Sequence, residues 1–96
     1  MAYELTWSLG ALEDIEQIAA YIERDSSSYA QAVVTRLIES AESLIEFPLR
    51  GRVVPEVRDE SIRERFVYSY RLIYRVEADR ITIVAVVHGF RLLGSL

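Results

Sequence analysis

Three strand-like runs lie almost back to back in the second half of the sequence, and they restrict the possible folds more than any other feature. The runs cover Ile62–Val67, Tyr70–Glu77 and Arg80–His88, and only two residues separate each run from the next. All three are rich in β-branched and aromatic residues, which favour strands. Connections this short are typical of antiparallel neighbours. The stretch Ser61–Arg91 is therefore predicted to be an antiparallel meander.

The last of the three runs differs from the others in its pattern. From Ile81 to Val87 every residue except Thr82 is apolar, so both faces of this strand are apolar. Strands buried on both faces have such continuous apolar runs. We therefore predict that this strand lies inside the sheet and not at its edge.

Two helices are predicted before the meander, after a short alternating strand over Tyr3–Trp7. Ser8 is a suitable N-cap, and apolar residues then recur at helical spacing as far as about Arg24. Asp25–Ser28 breaks the pattern and supplies the next cap. The second helix keeps the same apolar spacing until Pro48, which disfavours helix at the residue before it.

The predicted order of elements is βααβββ. Residues 47–59 form an ordered loop that contains a short extended piece at Val53–Val54. Each helix has one apolar face, which must be buried against a sheet or another helix. We expect one α+β domain over residues 1–96, in which a helical hairpin packs on an antiparallel-rich sheet.

The charged residues are distributed unevenly along the chain. Residues 1–47 carry a net charge of −7 and residues 48–96 a net charge of +3, and every cation is an arginine. The whole chain therefore has a net charge of −4. Such a chain attracts polyanions poorly unless its positive charge is concentrated on one face. We expect no direct DNA binding by this chain alone.

The residue types that hold metals or form disulfides are nearly absent. The sequence has no cysteine and a single histidine, His88, so we expect no disulfide, metal or other cofactor. No apolar run reaches the length of about 18 residues that a membrane helix needs. A cytoplasmic protein without a membrane partner is predicted.

Ordered fragments of this sequence resemble the ParE/RelE superfamily of toxins from type II toxin–antitoxin systems. The resemblance covers nearly the whole chain, and three motifs favour the ParE branch. They are the P-x-x-G-R loop at Pro48–Arg52, the hairpin strand YRLIYRV at Tyr70–Val76 and the HGxR sequence at His88–Arg91. The resemblance implies the RelE/ParE-like fold.

The resemblance also implies a function and partners. Members of the superfamily inhibit growth or stabilise plasmids, and a cognate antitoxin neutralises them. ParE-like toxins poison DNA gyrase and are not enzymes, whereas RelE-like toxins cleave messenger RNA on the ribosome. A ParE-like gyrase inhibitor is the favoured interpretation, and a ribosome-dependent mRNA endoribonuclease is the alternative. Whether the chain is an enzyme stays open.

Cleavage of RNA would need a base for the 2′-hydroxyl, cations for the phosphorane and an acid for the leaving oxygen. The net acidity and the absence of lysine count against this chemistry. If the chain is a nuclease, its candidate residues are Arg52, Arg63, Glu64, Arg71, Arg75, His88 and Arg91.

For a binding role, the candidates are residues that could contact a target protein. In ParE-like toxins the C-terminal segment is implicated in toxicity, and here that segment is apolar. The predicted target-binding residues are Tyr68, Arg71, Arg75, Phe90, Arg91, Leu92 and Leu93.

The turn of the central hairpin has two possible forms. A three-residue turn would place Arg63 and Arg65 on the same face as Arg71 and Arg75, with Phe66 in the core. A two-residue turn at Tyr68–Ser69 would place arginines on both faces of the sheet. The hydrophobic pattern favours the first form and the family favours the second, and no Asn-Gly signal decides between them. In either case Arg63 and Glu64 are predicted to form an ion pair that fixes the hairpin.

Overall fold

The computed structural model describes residues 3–90, which form two helices packed on a five-stranded mixed sheet. In chain order the elements are β1 (Glu4–Trp7), α1 (Leu9–Glu23), α2 (Ser27–Ser43), β2 (Arg52–Val53), β3 (Ile62–Val67), β4 (Tyr70–Val76) and β5 (Arg80–His88). The strands are ordered β1-β5-β4-β3-β2 in the sheet; β1 runs parallel to β5 and the other neighbours are antiparallel. The predicted α+β class, the meander and the interior position of β5 are confirmed.

Both predicted helix caps form. The Ser8 hydroxyl accepts a hydrogen bond from the amide of Ala11 at 3.0 Å, and the Ser26 hydroxyl accepts one from Tyr29 at 3.1 Å. Each bond satisfies an amide that the first turn of a helix leaves without a partner. At its other end, α2 stops at Ser43, ahead of Pro48. The amide of Leu44 bonds to the carbonyl of Ala41, which tightens the last turn of the helix.

The two faces of the sheet have different surroundings. On the helix-facing side, the helices bury a core against side chains of β3, β4 and β5, including Leu72, Tyr74 and Ile83. On the other side, which we call the outer face, a smaller apolar cluster forms around Ile62 and Ile73 under the loop that follows β2. The helices therefore protect one face of the sheet, and the outer face is left for charged side chains.

No helix within residues 3–90 is long and apolar enough to cross a membrane.

The central hairpin has the two-residue turn. Val67 pairs with Tyr70, and Tyr68 has a φ of 53°. Two-residue hairpin turns require a positive φ at their first central residue, and this is usually supplied by glycine or asparagine. Because side chains alternate along a strand, Arg63 and Arg65 lie on the helix-facing side and Arg71 and Arg75 on the outer face. The form that the hydrophobic pattern favoured is therefore wrong.

Asp14 joins α1 to the sheet. Its carboxylate accepts a hydrogen bond from the amide of Val86 at 2.9 Å. Val86 lies on β5 past Ile83, the last residue of that strand that pairs with β1. A strand edge presents unpaired amides that attract other strands. Asp14 satisfies one of these amides and fixes α1 beside β5.

Tyr74 connects the sheet to the loop after α2. Its hydroxyl donates to the carbonyl of Pro48 and accepts from the amide of Gly51, both at 2.9 Å. The side chain is fully buried, and this burial raises the pKa of the Tyr74 phenol. A Cβ added at Gly51 would lie 2.5 Å from the carbonyl oxygen of Glu64, so only glycine fits this close approach.

Replacing Tyr74 with phenylalanine is expected to lower the free energy of unfolding by about 1–3 kcal/mol, because the buried amide of Gly51 and the partly buried carbonyl of Pro48 lose their partner. Urea denaturation of the Tyr74→Phe variant measures this change. Tyr21→Phe is the matched control, since Tyr21 is exposed. An equally small effect of both substitutions would contradict a bridging role for the Tyr74 hydroxyl.

Candidate target-binding surface

A chain of alternating charges occupies the outer face where β2, β3 and β4 meet. Glu64 is at its centre: its Oε2 accepts from Arg52 Nε and its Oε1 from Arg71 Nε, both at 2.6 Å. Arg71 also donates from its two Nη atoms to the two carboxylate oxygens of Glu56, at 2.8 and 2.7 Å. The side chains of Glu64 and Arg71 are 0% and 4% exposed. We call these four residues the Glu64 network.

The Glu64 network leaves Arg71 little capacity for a ligand. The hydrogen bonds with Glu56 raise the pKa of Arg71 above its usual value, against the opposing effect of burial, and Glu64 adds to this. Its Nε and both Nη atoms already donate to carboxylates. A buried guanidinium held in this way supports the fold, and it would have to release a carboxylate before it could bind a phosphate.

The predicted ion pair between Arg63 and Glu64 does not form. The two residues are adjacent on β3, so their side chains lie on opposite faces. Arg63 instead donates from Nε to the carbonyl of Glu60 at 2.9 Å and from Nη1 to that of Gly51 at 3.0 Å. Arg63 thus helps to hold the loop that follows α2.

His88 lies on the opposite side of the sheet from Arg71. It pairs with Tyr70, whereas Arg71 pairs with Val87. The imidazole contacts the Tyr70 ring edge-on at 5.8 Å, and its Nδ1 accepts from the amide of Phe90 at 3.3 Å. The sheet therefore separates the only histidine from the buried guanidinium.

Aromatic side chains gather at the end of the domain where the β3–β4 turn meets the end of β5. The rings of Tyr29 and Tyr68 lie edge-on at 5.9 Å, and those of His88 and Phe90 are 5.4 Å apart. Phe90 is 89% exposed. Aromatic residues and arginine are enriched where proteins bind each other. We call this set the aromatic end: Tyr29, Phe66, Tyr68, Tyr70, His88 and Phe90.

A comparison with models of protein families shows to which family the chain belongs. Residues 5–93 match the model of the ParE toxin of the type II toxin–antitoxin system parDE. The chain belongs to the ParE toxin family. It is a toxin of the ParE/RelE superfamily, and the resemblance seen in the sequence is confirmed.

Similar proteins carry related names. A putative toxin, Y4kP, from Sinorhizobium fredii is 35% identical over 87 residues, covering 88% of this chain and 86% of that protein. Toxin RelE2 from Caulobacter vibrioides is 34% identical over 89 residues, covering 93% and 98%.

Solved structures share the fold of this ParE-family toxin. The chromosomal ParDE toxin–antitoxin system from P. aeruginosa matches with a TM-score of 0.74 at 19% identity, over 91% of this chain and 96% of that one. The RelBE2 toxin–antitoxin complex from Mycobacterium tuberculosis matches with a TM-score of 0.66 at 22% identity, over 92% and 99%. The predicted RelE/ParE-like fold is therefore confirmed.

The structure distributes the predicted site residues of the toxin over several places. Arg75 is exposed on the outer face, Arg52 lies at the solvent side of the Glu64 network, and Tyr68 is half-exposed at the hairpin tip. The predicted residues Arg91, Leu92 and Leu93 lie outside the described residues. Within residues 3–90, no group of three or more acidic or histidine side chains could hold a metal ion.

Sequence reasoning missed three members of the aromatic end, which are Tyr29, Phe66 and Tyr70. Phe66 was placed in the core by the three-residue turn, but it is half-exposed and its ring lies 5.3 Å from the Arg52 guanidinium. Tyr29, at the start of α2, approaches the hairpin only through the tertiary fold.

Tyr68 provides a test of the hairpin that separates backbone strain from ring contact. Tyr68→Gly is expected to keep the free energy of unfolding within about 1 kcal/mol of the wild type, because glycine adopts positive φ without strain. Tyr68→Val should lower it by about 1–3 kcal/mol, because a β-branched residue is strained there.

Tyr29→Ala is the control, since it removes the ring contact without changing the turn. Guanidinium denaturation of the three variants gives the comparison. If Tyr68→Gly is the most destabilised of them, contact with Tyr29 and not the backbone determines the stability of the hairpin.

Proposed function

We propose that this toxin inhibits growth by binding DNA gyrase, with the aromatic end and the exposed part of the outer face as its contact surface. The action is binding without catalysis, so inhibition follows the ratio of toxin to target. A cognate antitoxin neutralises the toxin by covering it, in keeping with the RelBE2 toxin–antitoxin complex, which shares the fold.

The separation of Arg71 from His88 is the observation that carries this proposal. General acid–base cleavage of RNA requires the proton-transfer group and the cation to reach the same phosphate. Here the sheet lies between them, and two carboxylates already hold Arg71. This arrangement favours a binding role over a catalytic one.

The chemistry of the aromatic end supports a protein as the target. Phe90, Phe66 and Tyr68 are exposed large side chains; Phe66 and Tyr68 line one groove, and the Phe66 ring lies near Gly89, the residue before Phe90. Such residues supply much of the energy of protein interfaces when a partner buries them. The net charge of −4 makes a purely electrostatic attraction to RNA weak.

A ribosome-dependent endoribonuclease is the second candidate. It is favoured by the 34% identity to a protein named toxin RelE2. In that case Arg71 would exchange Glu56 for a phosphate, and the other cations would come from exposed arginines such as Arg75.

The purified toxin distinguishes the two candidates in parallel assays. One assay follows supercoiling of a relaxed plasmid by gyrase, and the other follows cleavage of a defined messenger RNA on translating ribosomes. We expect inhibition of gyrase at a near-equal ratio of toxin to enzyme, with the messenger RNA left intact. Cleavage of many messenger RNA molecules by each toxin molecule would overturn the proposal.

Substitutions at the surface test the aromatic end within the gyrase assay. Phe90→Ala and Tyr68→Gly should each raise the toxin concentration for half-inhibition by about tenfold or more, as expected for residues at the centre of an interface. Leu9→Ala is the matched control, because Leu9 is exposed on α1, outside the aromatic end. Equal potency of all three variants would remove the aromatic end from the target contact.

A further inference from the structure

A groove lies between α2 and β3 on the helix-facing side, away from the Glu64 network. Its volume is about 490 Å³. Arg36 and Ser40 of α2 line one wall, Arg65 and Val67 of β3 line the other, and Arg50 contributes from the loop. Phe66 and Tyr68 also line the groove, so it adjoins the aromatic end, whereas its arginines lie outside the proposed gyrase contact.

The positive charge of this groove is not neutralised within the described chain. Among residues 3–90, every ion pair belongs to the Glu64 network, so Arg36, Arg50 and Arg65 pair with no carboxylate there. One carboxylate, that of Glu39, also lines the groove, which leaves an excess of two positive charges. Arginine side chains arranged in this way form a site for an oxyanion.

Arg65 shows a second, independent sign of a missing partner. Its Nε is buried and makes no hydrogen bond, and no other side-chain nitrogen or oxygen within residues 3–90 has this condition. Leaving a buried donor unpaired costs about 1–3 kcal/mol. An oxyanion in the groove would recover this cost if the guanidinium turned towards it.

We propose that the groove binds an acidic segment of a partner protein. An aspartate or glutamate side chain of the segment is held by Arg36, Arg50 and Arg65, and a neighbouring apolar side chain packs on Val67 and Tyr68. The segment shares Tyr68 with the proposed gyrase contact, and its acidic side chain is held by arginines outside that contact.

The shape and charge of the groove favour a peptide over a nucleic acid. A nucleic acid needs a stripe of cations that follows its backbone, whereas these three arginines line a single groove. The groove also has apolar lining at Phe66 and Val67, which suits a side chain of a peptide. β2 pairs only with Arg63 and Glu64, so within residues 3–90 no strand pairs with the outer edge of β3 from Arg65 to Val67, next to the groove.

Fluorescence anisotropy with a defined probe tests the proposal. The probe is a labelled hexapeptide of alternating glutamate and leucine, compared with the same peptide carrying glutamine for glutamate and with a labelled oligouridylate of twelve nucleotides. The glutamate peptide should bind, and the double substitution Arg36→Gln/Arg50→Gln should weaken it by about tenfold, as expected for the loss of charge-assisted contacts.

Arg24→Gln/Arg80→Gln is the matched control, because it removes the same charge from exposed positions outside the groove. It should change the affinity less than about twofold at physiological ionic strength, where distant charges are screened. Arg65→Met should also weaken binding while leaving the melting temperature unchanged or raised, because it removes an unpaired buried donor.

Three results would overturn the proposal. They are equal loss of affinity in the two double variants, equal binding of the glutamine peptide, and no binding of the glutamate peptide at millimolar concentration. If the oligouridylate binds more tightly than the peptide and depends on the groove arginines, the site recognises nucleic acid and the proposed partner is wrong.

Discussion

The fully buried carboxylate of Glu64 is the interaction on which the outer half of this structure depends. A carboxylate without water is expensive unless cations and hydrogen bonds surround it. Arg52 and Arg71 meet that requirement from the two neighbouring strands, and Glu56 completes the coordination of Arg71. One side chain thus holds β2, β4 and the loop after β2 on β3. The loop in turn covers the smaller apolar cluster, which the helices do not reach.

This structural use of Arg71 changes how the outer face is interpreted. In the sequence, Arg71, Arg75 and His88 were candidates for one nuclease site. In the fold, the most buried of those arginines is already neutralised, and the histidine lies beyond the sheet. Among the described residues, the outer face leaves Arg52, the Phe66 ring beside it, and Arg75 exposed for contact with a partner.

Much of the fold could be predicted because its signals are local. The bounds of β3 and β5, both helix caps and the interior position of β5 follow from propensity, capping chemistry and apolar pattern within a few residues. The hairpin register could not be predicted, because Tyr68 adopts a positive φ that tyrosine disfavours and the fold imposes. The partners of Glu64 and Arg71 were also missed, since the positions of Arg52 and Glu56 depend on loops whose path the sequence does not specify. The same limit applies to the groove, whose three arginines come from α2, the loop and β3.

A double-mutant cycle on Glu64 and Arg71 tests the central claim that this buried pair supports the fold. The free energy of unfolding is measured for Glu64→Leu, Arg71→Met and the double variant. Each single substitution should cost about 3–5 kcal/mol, because it takes one of two ion-pair partners from a buried charge, so that Arg71 keeps only Glu56 or Glu64 keeps only Arg52. The double variant should be much less destabilised than the sum, with a coupling energy of at least about 2 kcal/mol. Additive effects within about 0.5 kcal/mol would contradict the account, because they would mean that the two side chains stabilise the fold independently.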